Sequence, residues 1–405
     1  MTDFIRLEEE RLAQRPAELP FSREEYAARL ALLRTRMAES GLDILLITSP
    51  DGMCWLHGYD ARWYRSHSST CFPPTHCTVV HVDHDRILLI EVAEHEQLVR
   101  LTSCVDDFRG IPETDLDGFT DLLAAELAAR GWTRGTVGVE RWSALPNPAG
   151  LAAIEAMLTT RGYGLADATT VIRRARRIKS TAEITMIEHA QAACDAGITE
   201  LHRQAYPGMT ELEAWNTYMT GMIAAGGEPT AMHETIAVGP PMPMLHGVST
   251  RRKIQRGDYF HADVAGAVHR YHARGTRPFF VGEPPPWFTD LAKVIAGAHD
   301  VLTATARPGL PFRDLHRALR EYFAEAGVDG WAGGYELGVS LPPDWVGEFV
   351  WSSSDEDTED VIEAGLVTNF ESVAFLAMVD TVVFDRDGAR LLSTLPREVM
   401  IVEVA

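Results

Sequence analysis

Residues 257–280, GDYFHADVAGAVHRYHARGTRPFF, constrain the fold more than any other stretch of the chain. An apolar run delivers one carboxylate, Asp263. A glycine turn follows, and a second strand-like run carries Tyr271, His272, Arg274 and Arg277. Side chains alternate faces along a strand, so His272 and Arg274 share one face while Tyr271 shares the other with Ala273. A carboxylate within an apolar run is rarely left without a partner. Asp263 is therefore either the ion-pair partner of Arg274 or Arg277, or a group that holds or attacks a cationic ligand.

The rest of the chain sets the context. Its 405 residues suit two domains, and 46% hydrophobic content supplies ample core. Fifty-eight acidic against 37 basic residues give a formal charge of −21, which repels nucleic acid and anionic membrane and argues against both as partners. The five cysteines form no CxxC pair and no zinc-finger spacing, as expected in a reducing cytoplasm. The N-terminal MTDFIRLEEERLAQ lacks the apolar region of a secretory signal, and no apolar run reaches the ~18 residues of a membrane span. A cytoplasmic protein is expected.

Periodicity predicts helix across residues 1–40, with Ser22 as a cap and Gly41 as a stop. Strands are expected at 42–48, 76–82, 85–92 and 136–140, with a helix at 116–131. This alternation predicts an N-terminal α/β domain over 1–172. A basic run, VIRRARRIKS, leads to Ser180 and Glu183, spaced as a capping box, and opens a second domain over 173–405. There, helices at 210–226, 288–305 and 312–327 alternate with strands around 234–239, 258–265, 268–281, 365–375 and 378–384.

Further chemistry-bearing residues lie along this second half. His246 sits in PPMPMLHGVSTRR, too proline-rich for a helix interior, and an imidazole passes protons near neutral pH. Glu371 follows GLVTNF, after a turn at Glu363-Ala364-Gly365. Tyr335 and Glu336 lie in GGYELGVSLPPDWVGEF, where Gly333, Gly334 and Gly338 would allow close backbone approach to a ligand. In the N-terminal half, GYDARWYR supplies Trp63 and Arg65, an aromatic face for a cation and a fork for a carboxylate.

Together these segments resemble the creatinase/prolidase family of Xaa-Pro peptidase-like, pita-bread proteins, over nearly the whole chain. The resemblance implies two domains, an N-terminal creatinase-like α/β domain and a C-terminal pita-bread domain of curved antiparallel sheet with flanking helices. Metal-dependent members carry a second metal-binding Asp eleven residues after the first; here that position is Arg274, whose permanent positive charge repels a divalent cation. Tyr335 stands where such members have a His. Val379 stands where they have their final Glu, unless a one-residue shift brings Asp380 there. GYELGVSLPPDWVGE and the RYH of 270–272 are similar to segments of ectoine-hydrolase-like members, with Val346 inserted.

The resemblance implies a metal-independent hydrolase with no cofactor. It would cut a non-peptide C–N bond in a small zwitterionic amidine or guanidino compound, ectoine-like first and creatine-like second. His246, Asp263 and Glu371 would be catalytic. Trp63, Arg65, Tyr271, His272, Arg274, Arg277, Tyr335 and Glu336 would bind substrate, with Arg65 and Arg277 clamping its carboxylate. The family also implies a homodimer in which loop 59–72 completes the neighbouring site. Two other readings stay open: a metal-dependent Xaa-Pro peptidase or lyase, and a non-catalytic small-molecule binding protein.

Overall fold

The computed structural model describes residues 2–62, 73, 75–111, 115–240 and 247–404. The chain divides into two compact units at 176/177, four residues beyond the expected boundary.

The first unit contains α1 (Thr2–Gln14), α2 (Arg23–Glu39), β1 (Ile44–Ile47), α3 (Pro50–His57), β2 (Cys77–His81), β3 (Leu88–Val92), α4 (Glu96–Thr102), β4 (Asp107–Ile111), α5 (Leu116–Ala129), β5 (Thr136–Val139), α6 (Pro148–Thr160), β6 (Gly164–Asp167) and α7 (Thr169–Arg177). The helical stretch expected over 1–40 is divided into two helices, because prolines 16 and 20 interrupt the ladder. Ser22 caps the second of them, its hydroxyl accepting from Glu25 N. The sheet order is β4-β3-β2-β1-β5-β6, with β2 antiparallel to both neighbours and the other pairs parallel. Its core joins Ile44, Leu46, Val79, Ile90 and Val137 to Phe119, Leu123 and Leu127 of α5.

The second unit contains α8 (Thr181–Gln204), α9 (Glu211–Ala224), β7 (Ile236–Val238), β8 (Tyr259–Val268), β9 (Tyr271–Val281), α10 (Pro286–Thr305), α11 (Phe312–Glu325), β10 (Trp331–Tyr335), β11 (Val350–Ser352), β12 (Val367–Val373), β13 (Ala377–Asp385), β14 (Gly388–Leu391) and β15 (Met400–Val402). Its main path runs β11-β10-β12-β13-β9-β8-β7, antiparallel throughout, with β14 on β13 and β15 parallel to β9. Capping boxes start α8, at Ser180 and Glu183, and α9, at Thr210 and Glu213.

The turn between β8 and β9 is not the glycine turn expected. His269 and Arg270 occupy it at φ 47° and 67°, the left-handed pair that a two-residue hairpin of matching twist requires. Gly266 lies within β8 instead. A Cβ there would stand 2.2 Å from the carbonyl of Ala190 in α8, so the glycine lets helix and sheet approach closely.

One face of this sheet is covered by helices. Phe260, Ala262, Val264 and Phe279 pack with Cys194, Ile198 and Tyr218, while Phe370, Met378, Val382 and Phe384 pack with Ile295, Leu302 and Leu319. The opposite face carries Asp263, Arg274 and Glu371. None of the described helices is long and apolar enough to cross a membrane.

Candidate active site

Strand register assembles the site in rows. Asp263 faces Thr276 on β9, Thr276 faces Val379 on β13, Val379 faces Glu371 on β12, and Glu371 faces Gly333 on β10. One step along lie Arg274 on β9, Thr381 on β13 and Asn369 on β12; Asn369 pairs with Thr381, and Arg274 N donates to Thr381 Oγ1 at 2.9 Å. Tyr335 N donates to Asn369 Oδ1 at 2.7 Å, which brings Tyr335 beside this second row.

Asp263 Oδ1 accepts from Arg274 Nη2 at 2.6 Å and from Thr276 Oγ1 at 2.7 Å. A third of its side chain stays open to solvent (33%) whereas Arg274 is 4% exposed, so one carboxylate oxygen is clamped and the other is presented outward. Burial pushes the Asp263 carboxyl up, but Arg274 and the Thr276 hydroxyl outweigh it and hold it below the usual carboxylate range. Arg274 Nη1 donates to Val264 O at 3.0 Å and lies 2.8 Å from Met232 Sδ.

Glu371 is in the opposite condition. Burial lifts its carboxyl to about 7; Arg274 pulls down, Asp263 pushes up, and Asn369 pulls down. Asn369 Nδ2 donates to Glu371 Oε1 at 2.7 Å. Because Asn369 Oδ1 is fixed by the Tyr335 amide, the nitrogen side must face Glu371, and Oε1 must accept. The proton of the neutral acid then sits on Oε2. Tyr335 is pushed to about 12 by burial and remains a neutral hydroxyl, which accepts from Trp345 Nε1 at 2.9 Å.

Four residues expected to bind substrate are committed elsewhere. Arg277 lies on the helix-covered face and is fully buried. Its donors go to Asp380 Oδ1 at 2.8 Å and to the carbonyls of Thr276, Val379 and Pro396 at 2.9, 3.1 and 2.9 Å. It therefore clamps the protein's own chain and not a ligand. Tyr271 points to the same face and donates to Glu183 Oε1 at 2.9 Å. His272 shares the face of Arg274, but its Nε2 accepts from Ala231 N and its Nδ1 donates to Arg270 O, both at 2.9 Å. Burial lowers that imidazole to about 3, so it stays neutral. Glu336 turns away from Tyr335 and pairs with Lys179 at 2.5 Å, both side chains buried.

The glycines near Tyr335 serve packing as well. A Cβ on Gly334 would meet Asn369 O at 2.1 Å, and one on Gly338 would meet Lys179 Cε at 3.0 Å. The register also decides between Val379 and Asp380. Val379 pairs with Glu371 and so shares its face; Asp380 is on the other side, with no exposure, beside Arg277 and 3.5 Å from His299 and Arg397. His246, Trp63 and Arg65 lie outside the described residues.

The sequence reading missed Thr276, Asn369 and Trp345. Parity would have found the first two, since Thr276 alternates with Arg274 and Asn369 with Glu371.

Comparison with known proteins fits this architecture. The metallopeptidase family M24 matches residues 185–391, and the creatinase/prolidase N-terminal domain matches residues 29–178. An ectoine hydrolase of Halomonas elongata is 26% identical over 95% of this chain and 98% of its own. A probable dipeptidase PepE of Mycobacterium bovis is 24% identical over 95% and 99%. The solved Xaa-Pro dipeptidase from Bacillus anthracis superposes with a TM-score of 0.75 at 18% identity, covering 93% of this chain and 99% of that one. The chain belongs to metallopeptidase family M24, in the two-domain creatinase/prolidase branch with the pita-bread fold.

Proposed function

We propose that this chain is a metal-independent hydrolase of a non-peptide C–N bond in a small zwitterionic amidine or guanidino compound, an ectoine-like substrate before a creatine-like one. The observation that carries the reading is the 2.6 Å contact of Arg274 on Asp263. A guanidinium there satisfies the carboxylate and repels a divalent cation. Val379 opposite Glu371 adds a side chain with no ligating atom. Among the described residues no group of three or more His, Cys, Asp or Glu is arranged to hold a metal. The donors among the described residues of this site, Asp263 clamped by Arg274 and Glu371 opposite Val379, do not suit a two-metal centre. The ectoine hydrolase relative, aligned over nearly the full length, supports the same substrate class.

The two carboxylates sit in unlike environments, which suits them to unlike roles. Asp263 stays ionised and offers its outward oxygen to the cationic amidine. Glu371 holds a proton on Oε2 near neutral pH. Water adds to the amidinium carbon and gives one proton to the base, a role expected of His246. Glu371 protonates the leaving nitrogen and the C–N bond breaks. The hydroxyl proton of the adduct returns to Glu371 as the carbonyl forms, and the released amine takes the proton from the base. The products are an amide and an ammonium group, and both side chains are restored.

The homodimer belongs to the same proposal: Arg65 from a neighbouring subunit would clamp the substrate carboxylate. The deciding experiment measures amine release from ectoine and from creatine, with Gly-Pro in parallel, before and after chelation. Turnover of an amidine or guanidine that survives chelation supports the reading. Dipeptide turnover that falls with chelation and returns with stoichiometric manganese or cobalt overturns it.

A further inference from the structure

Trp345 bridges β10 and the segment that precedes β7. Its indole N–H donates to Tyr335 on β10, and its ring meets the ring of His233 at 6.3 Å between centroids, at 66°. His233 lies three residues before β7. The segment that carries His233 runs over the site face of β9: Ala231 N donates to His272 Nε2 at 2.9 Å, and Met232 Sδ lies 2.8 Å from Arg274 Nη1. Trp345 thus bridges Tyr335, which sits beside Asn369, and a segment that packs on Arg274, on the face that carries Asp263, Arg274 and Glu371.

The loop carrying Trp345 is well anchored. Gly347 N donates to Glu336 O at 2.9 Å, Phe349 N to Glu336 Oε2 at 3.3 Å, and Glu336 N to Phe349 O at 2.7 Å. Glu336 is itself fixed by Lys179. The indole spends its only polar group on Tyr335, so what it offers a ligand is its π-surface. An ionised Asp263 and an aromatic face on the same side of the sheet suit a flat cation.

We propose that Trp345 is the specificity-determining roof of this site, closing over a compact planar organic cation and excluding an extended peptide. This rests on the function proposed above and adds the residue that sets the size and shape of its substrate.

The test is calorimetric binding of ectoine and of creatine to the full chain and to Trp345→Phe and Trp345→Leu. Tetrapeptide Gly-Pro-Gly-Gly is the competitor, and unliganded melting temperatures verify folding. The expected result is a loss of about tenfold or more in affinity for the better-bound cation with Leu, and retention within about threefold with Phe, because a ring face remains. The Leu variant should also gain measurable affinity for the tetrapeptide. Wild-type affinity in the Leu variant overturns the roof alone, as does an equal loss in Leu and Phe. A wild-type chain that binds neither cation overturns the proposed function and the roof with it. Should the Leu variant not fold, oxidation of Trp345 by N-bromosuccinimide in the wild-type chain, read by peptide mass spectrometry, takes its place. Protection by the bound cation is expected, and an unchanged rate overturns the proposal.

Discussion

Asn369 donates its amide to Oε1 of Glu371 at 2.7 Å from two residues earlier on the same strand, and so decides which oxygen of that acid carries the proton. The acid titrates at about 7, with burial as the main cause. Activity that needs the proton should fall as pH rises through about 7. Asn369→Leu removes a bond that favours the carboxylate, so the alkaline limb of the kcat profile should move to higher pH. Glu371→Gln should lose about 100-fold or more in kcat and lose that limb. A profile in Asn369→Leu identical to wild type would refute the assignment.

The same group links pH to stability. A folded value of about 7 lies above the unfolded value of ~4.3. The folded state therefore binds the proton more tightly, and stability from this group is complete below ~4.3 and is lost as pH rises toward about 7. Relative to wild type, Glu371→Gln should gain about 2 kcal/mol between pH 5 and pH 8, discounted for partial exposure. Urea unfolding at the two pH values measures it.

Removing the Arg274 side chain should harm the fold as well as the site. Arg274→Met leaves Asp263 without its cation, at an expected cost of about 2–3 kcal/mol, reduced because Asp263 is 33% exposed. The Asp263 carboxyl should rise in that variant, and stability above pH 5 should fall most. A chemical-denaturation midpoint unchanged from wild type would count against the pairing.

Arg277 should behave as a purely structural residue. With both partners at no exposure, Arg277→Met strands Asp380 and should cost about 3–5 kcal/mol. At temperatures where the variant stays folded, KM for the amidine should match wild type. A tenfold rise in KM would restore Arg277 to the substrate pocket.

Gly266→Ala puts a methyl 2.2 Å from Ala190 O. Helix α8 must shift or the hairpin must bend, at about 1–3 kcal/mol or more. Thermal melting measures it, and a variant within 1 °C of wild type would show that the helix yields freely.

The architecture was legible because it rests on local rules. Alternation marked the strands, and the spacing of Ser180 and Glu183 marked the start of α8. The site was only half legible. Asp263, Arg274 and Glu371 do converge, since each follows from parity within a strand. Arg277 and Glu336 were misplaced because each sits one residue off that parity, next to a residue that does face the site. Trp345 was invisible for another reason: its partners, Tyr335 and His233, meet it through loop geometry, which no spacing in the sequence encodes. The turn at His269 and Arg270 escaped notice because it lacks the Asn-Gly, Asp-Gly or Gly-Gly pair that marks a two-residue hairpin.

Glu183 receives both the Ser180 amide and the Tyr271 hydroxyl on its two oxygens, each at 2.9 Å. The first turn of α8 and the leading residue of β9 thus share one anchor. Fraying of one end should release the other, so amide exchange at residues 181–184 and at 271–272 is expected to proceed through a common opening, with a single free energy for both segments.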